Sequence, residues 1–228
     1  MATDIELHRL LHLASATLPT GAFAYSQGLE TAVEARWIQN REQTEGWLET
    51  VLHTSLKHQE LPLLHRAMQA LAQGDATGLR HLNQEAIAWR DTAELRAEER
   101  QLGRALQRML EVLHPGRSPD WFEAAASAEG VSYLAGYACL ARLQGLDATT
   151  TATAYAWSWL ENQVAAAIKL VPLGQSEAHQ ALASVAAALP AVVAAAARVA
   201  MTAIGHTLPG LSLASAQHET QYSRLFRS

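Results

Sequence analysis

The stretch from Thr151 to Gly174 constrains the fold of this chain more than any other. Between Ala152 and Val171 only Glu161 and Lys169 carry charge. Seven residues recur at three- and four-residue steps, so they lie along one helical face: Ala156, Leu160, Gln163, Val164, Ala167, Ile168 and Val171. The remaining faces carry aromatic and small residues, a pattern typical of a buried helix. We therefore predict a central core helix that Pro172 and Gly174 bring to an end.

Length and composition set the fold class around this helix. The chain has 228 residues, of which 49% are apolar, enough for one domain with a sizeable core. Alternating β-branched runs are absent, whereas Ala, Leu, Glu, Gln and Arg, which are good helix formers, dominate. We predict an all-α fold, with residues 1–228 forming a single compact multi-helix domain around the buried central helix.

Apolar periodicity predicts further helices on both sides of the central one. The predicted helices cover residues 5–15, 26–37, 44–58, 62–73, 77–89, 92–113, 121–130, 131–143, 176–206 with an interruption at Pro190, and 211–225. The break between the first two contains the turn formers Pro19 and Gly21. It also contains Phe23 and Tyr25, although surface connections usually favour small polar residues.

Charge and cysteine content exclude several classes of protein. The formal net charge is −5, so the chain has no overall nucleic-acid signature. The central helix is too aromatic and too polar, with Asn162 and Gln163, to be a good membrane span. No long apolar run begins the sequence, which predicts a cytoplasmic protein. The single cysteine, Cys139, is interpreted as an inert core thiol in a reducing compartment.

The ten histidines raise the question of a metal or haem site. His8 and His12 are four residues apart and would share one helical face. However, H-E-x-x-H and C-x-x-C motifs, a P-loop, a Rossmann fingerprint and a G-x-S-x-G elbow are all absent. We predict no catalytic residue, no cofactor and no metal ligand. The competing hypothesis is a helical cofactor-binding enzyme of the haem-oxygenase type, with His8 or His12 as the haem ligand.

Three charged regions have open interpretations. The helix 92–113 and its approach carry charges of both signs, which form either solvated ion pairs or a docking surface: Arg90, Glu94, Arg96, Glu98, Glu99, Arg100 and Arg104. Lys169 either extends its ammonium group to solvent, or it anchors the following loop or contacts a partner. The last residues carry Arg, Tyr and Phe, which are enriched in interfaces, so we expect them to dock. Deletion of residues 221–228 is expected to leave the fold intact.

Four stretches together resemble the urease accessory protein UreF family. They are LASATLPTGAFAYSQGLETAVEA (13–35), RDTAELRAEERQLG (90–103), AAIKLVPLGQ (166–175) and SAQHETQYSRLFRS (215–228). The resemblance implies an all-α protein without catalytic activity. It further implies a homodimer that binds the accessory protein UreD, also called UreH, and forms a platform for the GTPase UreG. Such an assembly would deliver nickel to apo-urease, with UreF modulating GTP hydrolysis by UreG.

The same resemblance assigns candidate partner-binding residues in three stretches. The first set lies in the break before the second helix: Phe23, Tyr25, Ser26, Gly28 and Glu30. The second set lies at the end of the central helix: Lys169, Gly174 and Gln175. The third set lies at the C-terminal end of the sequence: Glu219, Tyr222, Arg224 and Arg227.

Overall fold

The computed structural model describes residues 4–116, 130–206 and 208–228, and every regular element in them is helical. The predicted all-α class is therefore confirmed, and the predicted helix 121–130 lies almost entirely outside the described residues. The α-helices are α1 (Asp4–Ala14), α2 (Leu29–Glu34), α3 (Arg41–Val51), α4 (Leu61–Gln73), α5 (Ala76–Ala88), α6 (Ala93–Leu113), α7 (Tyr133–Leu143), α8 (Ala148–Leu170), α9 (Gln175–Ala186), α10 (Leu189–Ala196) and α11 (Pro209–His218). Short 3₁₀ turns cover Ala22–Ala24 and Met201–Ala203, and a π-helical segment covers Leu52–Glu60.

Side-chain caps explain where several helices begin. Each capping side chain accepts a hydrogen bond from a main-chain N–H in the first turn of the helix, where no intrahelical acceptor exists. The capping residues are Asn40 for α3, Asp75 for α5, Thr92 for α6, Ser132 for α7 and Asp147 for α8.

Helix α8 occupies the centre of the domain, as the sequence predicted. Its residues Ala156, Leu160 and Ala167 are fully buried, and it packs against α1, α4, α9 and α10. Ile168 is an exception on the predicted apolar face, because its side chain remains 41% exposed. Cys139 on α7 is fully buried, and burial raises the pKa of its thiol well above the ordinary value. The thiol is therefore a core group, as expected.

The π-helical segment joins α3 to α4 without a break, whereas the sequence predicted two separate helices. Pro62 has no main-chain N–H, so in the five-residue register of the π-helical segment the carbonyl of Lys57 lacks its donor. The neighbouring carbonyl of His58 accepts the N–H of Gly205 at 3.0 Å. The proline therefore perturbs the helical register without ending the helix.

Other helix boundaries also differ from the prediction, and the region predicted as helical over 176–206 is α-helical only to Ala196. The second helix begins at Leu29 and ends at Glu34, and Arg36 adopts a left-handed conformation with φ of 61°. The last helix ends at His218, seven residues before the predicted end. Before the start of the second helix and after the end of the last helix, tertiary hydrogen bonds override local helical propensity.

The segment Gln175–Ala196 is long and apolar enough to cross a membrane by length and composition alone. The structure divides it into α9 and α10, which are separated at residues 187–188. Both helices pack against α8, and Ala178, Val185 and Val192 are buried there. A helix that is buried against a protein core meets the same criteria of length and apolar composition.

Candidate docking surface

The C-terminal segment, defined here as Glu219–Ser228, lies on the loop formed by Phe23–Glu30. The main-chain N–H groups of Ser26 and Gln27 donate to the main-chain oxygen of Ser228, at 2.8 and 3.0 Å. The Ser26 hydroxyl donates to the same oxygen at 2.6 Å, and the N–H of Arg227 donates to the carbonyl of Ala24 at 2.8 Å. Two of the three stretches that the sequence singled out are therefore joined within one chain.

The side chain of Glu30 anchors the C-terminal segment. Its carboxylate accepts the main-chain N–H groups of Leu225 at 2.7 Å and Phe226 at 2.9 Å. The Nε2 atom of His218 lies 3.2 Å from Glu30 Oε2, and both side chains are buried. A carboxylate that is buried this deeply requires such donors, because its desolvation is otherwise unfavourable.

Glu94 continues the same network on α6. The Nδ1 atom of His218 lies 2.6 Å from Glu94 Oε2, and the Arg224 guanidinium donates to Glu94 Oε1 at 2.6 Å. Glu219 accepts the N–H of Ala93 at 2.8 Å, which places a negative charge at the N-terminus of α6. His218 thus lies between two carboxylates, and the doubly protonated imidazolium can donate to both.

Gly28 permits the close packing of the loop on α11. Its φ of 82° lies in the left-handed region, and a Cβ at this position would lie 3.2 Å from both Ala214 Cβ and Ser215 N. Any other residue would therefore be strained and would displace α11. The structure gives Gly28 an intrachain packing role in addition to the predicted partner-binding one.

Lys169 connects the third stretch to the same surface. The Nζ atom of this exposed residue lies 5.4 Å from the ring centroid of Phe226, a cation–π arrangement. Phe226 itself is buried in a small apolar cluster that includes Leu29, Ile38 and Val171. Lys169 is therefore exposed and also contacts another segment of its own chain, and its contact with a partner stays a prediction.

Gly174 and Gln175 lie beyond this contact, at the start of α9. Both residues are exposed. The N–H of Gly174 donates to the carboxylate of Glu177 at 3.0 Å, which satisfies one of the donors of the first turn. The third stretch therefore contributes two features to the edge of this surface, the end of α8 and the exposed turn before α9.

The predicted residues divide into exposed and buried groups. Phe23 is 67% exposed, and Tyr222 is fully exposed. Leu225, three residues after Tyr222, is 62% exposed. Tyr25, Ser26, Gly28 and Glu30 are buried and hold the loop and the C-terminal segment in place. The surface thus presents apolar anchors on a hydrogen-bonded support.

A buried polar cluster lies beneath the loop, and sequence reasoning did not find it as a site. The guanidinium of Arg90 donates to Glu99 at 2.7 Å and to Glu60 at 3.0 Å. The hydroxyl of Tyr155 donates to the other oxygen of Glu60 at 2.8 Å. These residues and Glu98 border a cavity of about 60 Å³ below the loop. The ion pairs of Arg90 with Glu60 and Glu99 offset the free-energy cost of removing these charged groups from water.

Glu98 links this cluster to the C-terminal segment. The hydroxyl of Ser228 donates to Glu98 Oε2 at 2.7 Å, and Gln27 Nε2 donates to Oε1 at 2.8 Å. Burial raises the pKa of the Glu98 carboxyl to about 7, although the hydrogen bonds from Ser228 and Gln27 oppose the rise. The predicted mixed-sign helix face is therefore partly buried. Arg90, Glu98 and Glu99 lie in the interior and do not form solvated ion pairs.

The histidines of α1 lie away from this cavity. His8 and His12 are both exposed, and His12 Nδ1 lies 3.2 Å from Gln144 Nε2. Within residues 4–116, 130–206 and 208–228, no group of three or more His, Cys, Asp or Glu side chains is arranged to hold a metal ion. Neither histidine borders the cavity as a haem ligand would.

Comparison with known proteins identifies the family. A family model described as UreF matches residues 38–186. The chain is 42% identical to the urease accessory protein UreF of Pseudomonas putida (strain F1) over 228 residues, which is 100% of both chains. The chain belongs to the UreF family. It is also 42% identical to the UreF of Azoarcus sp. (strain BH72) over 98% of this chain and 96% of that relative.

A third UreF relative, from Chromohalobacter salexigens, is 43% identical over 98% of this chain and 95% of its own length. The family model itself begins after the Phe23–Glu30 loop and ends before the C-terminal segment. The full-length relatives therefore match the whole chain, including the docking surface. The UreF family model matches only helices that lie in sequence between the Phe23–Glu30 loop and the C-terminal segment.

Proposed function

We propose that this UreF-family chain is a urease accessory protein that acts as a non-catalytic scaffold. In this proposal it joins the UreD (UreH) homologue and the GTPase UreG to apo-urease, so that the assembly can insert nickel in a GTP-dependent step. The protein would act in the cytoplasm, as a homodimer, and would modulate GTP hydrolysis by UreG. Nickel is the cargo of this process and not a resident cofactor of the chain.

The observation that carries the proposal is the convergence of three separate stretches on one surface. The Phe23–Glu30 loop, the end of α8 and the C-terminal segment meet there through main-chain hydrogen bonds and the Lys169–Phe226 contact. These elements use buried polar groups to hold segments that expose the apolar side chains of Phe23, Tyr222 and Leu225. Aromatic side chains held rigidly at a surface are typical centres of binding energy.

The buried hydrogen bonds of the docking surface favour a scaffold function, because they fix the positions of the exposed apolar side chains before a partner binds. A rigid surface loses little conformational entropy on binding. Lys169 and Arg227 add exposed positive charge around the apolar anchors, which favours a partner with acidic groups. Coupling to UreG requires that the chain and its UreD partner bind the nucleotide states of UreG with different affinity.

Pull-down of the UreD and UreG homologues by the tagged full-length chain tests the proposal. We expect a complex with UreD, and recruitment of UreG that differs between its GDP form and a form with a non-hydrolysable GTP analogue. The double variant Phe23→Ala/Tyr222→Ala should weaken capture, while Val112→Ala, which removes an exposed apolar side chain at the end of α6, should not. Absence of any complex in all nucleotide conditions would refute the scaffold function.

A further inference from the structure

We propose that His58 and His206 form a binding site for a divalent transition-metal ion of the kind that imidazole prefers, namely Ni²⁺, Cu²⁺ or Zn²⁺. The centroids of the two rings lie 4.6 Å apart, and the ring planes are inclined by 48°. His58 belongs to the π-helical segment, and His206 follows the last 3₁₀ turn, so two distant parts of the chain supply the pair.

The main chain holds the two residues together. The N–H of Gly205 donates to the carbonyl of His58 at 3.0 Å. Gly205 has φ of 103°, and a Cβ there would lie only 2.0 Å from the ring of Trp89. The backbone that precedes His206 is thus fixed by a glycine that no other residue can replace without displacement. Such preorganisation is what a two-ligand site requires.

The separation of the rings fits a shared metal ion. Metal–nitrogen bonds of about 2.0–2.1 Å place each imidazole centroid about 3.2 Å from the ion. Two such centroids lie about 4.5–5 Å apart when the nitrogen–metal–nitrogen angle is near 90–100°. The observed 4.6 Å falls in this range. Two imidazoles are also a ligand set that late first-row divalent ions favour over Mg²⁺ or Ca²⁺.

The solvent exposure of the pair suits this role. His206 is exposed and His58 is half-buried, so an ion can enter from solvent and water can complete its coordination. This site is distinct from the docking surface, and the proposal does not depend on the proposed function.

Calorimetric titration of the full-length chain with NiCl₂ tests the site. We expect one ion per chain, with affinity reduced about tenfold or more in His206→Gln and in His58→Gln, because each variant keeps only one protein ligand. The matched control is His12→Gln, which disrupts the pair of exposed histidines on α1 that is spaced for chelation. This control should bind Ni²⁺ as the wild type does.

Electron spin echo measurements with one equivalent of Cu²⁺ provide a second readout that does not depend on affinity. The wild type and His12→Gln should both show two coupled imidazole nitrogens, and His206→Gln should show one. Far-UV circular dichroism and thermal melting verify that each variant is folded. The proposal is overturned if the wild type binds no Ni²⁺, if His12→Gln alone loses binding, or if His206→Gln retains both imidazole couplings.

Discussion

The imidazole of His218 lies 3.2 Å from the carboxylate of Glu30, although the two residues are 188 positions apart in the sequence. Glu30 also accepts the main-chain N–H groups of Leu225 and Phe226. One carboxylate therefore ties the second helix, the last helix and the C-terminal segment together. This buried acceptor therefore contributes to the stability of the docking surface.

Glu30→Gln should loosen the C-terminal segment, because an amide oxygen can replace only one of the two carboxylate acceptors. We expect a loss of about 1–3 kcal/mol in the free energy of unfolding. The main-chain amides of Leu225 and Phe226 should exchange hydrogen faster, as measured by hydrogen–deuterium exchange. Glu34→Gln, on the exposed side of the same helix, should leave both quantities unchanged. Unaltered protection in Glu30→Gln would contradict the anchoring role.

Glu98 should make the stability of the fold depend on pH. Burial raises the pKa of its carboxyl from 4.5 to about 7, so the folded state binds the proton more tightly than the unfolded state. Its stabilising contribution is complete below pH 4.5 and is lost as the pH rises through about 7. The loss amounts to about 3 kcal/mol, at 1.36 kcal/mol per pKa unit.

Glu98→Gln should remove this part of the pH dependence, because the amide does not titrate. Urea denaturation at pH 5 and at pH 7.5 measures the difference in each variant. Glu49→Gln, which changes an exposed carboxylate on α3, controls for the general effect of charge removal. If Glu98→Gln and wild type lose the same stability between the two pH values, Glu98 is not the responsible group.

Gly103→Ala should destabilise the contact between α6 and α7, the most extensive helix pair in the described residues. A Cβ at Gly103 would lie 1.9 Å from the carbonyl oxygen of Val131, so the backbone must shift. We expect a loss of about 3 kcal/mol. Gly46→Ala, in the middle of α3 with open space around it, should instead raise stability by about 0.5–1 kcal/mol. Thermal unfolding of both variants decides the comparison.

Sequence reasoning located the elements better than the contacts between them. The central helix was predictable because its apolar period is local, whereas α3 begins at Arg41, three residues before the predicted start, because its capping residue Asn40 was not recognised. The cluster of Arg90, Glu60, Glu99 and Tyr155 was not predictable, because its members come from separate helices. Arg90 looked like a surface charge, since nothing near it in sequence shows that Glu60 lies alongside it.

The end of the last helix shows the same limit. Residues after His218 have ordinary helical propensity, yet Glu219 accepts the N–H of Ala93, and Glu30 takes the N–H groups of Leu225 and Phe226. These tertiary acceptors replace the intrahelical ones. The resemblance assigned Glu30 to partner binding, which stays a prediction. The structure gives its carboxylate a use within the chain.

Phe226→Ala and Tyr222→Ala should separate support from recognition in the C-terminal segment. Phe226 is buried against Leu29 and Val171 and lies under Lys169, so its truncation should cost about 2–4 kcal/mol of stability. Tyr222 is fully exposed, so Tyr222→Ala should melt as the wild type does but capture less of the UreD homologue.

Deletion of 221–228 should therefore lower both stability and capture, contrary to the sequence expectation of an intact fold. A deletion variant with unchanged melting would show that the hydrogen bonds to Glu30 and Ser26 contribute no net stability.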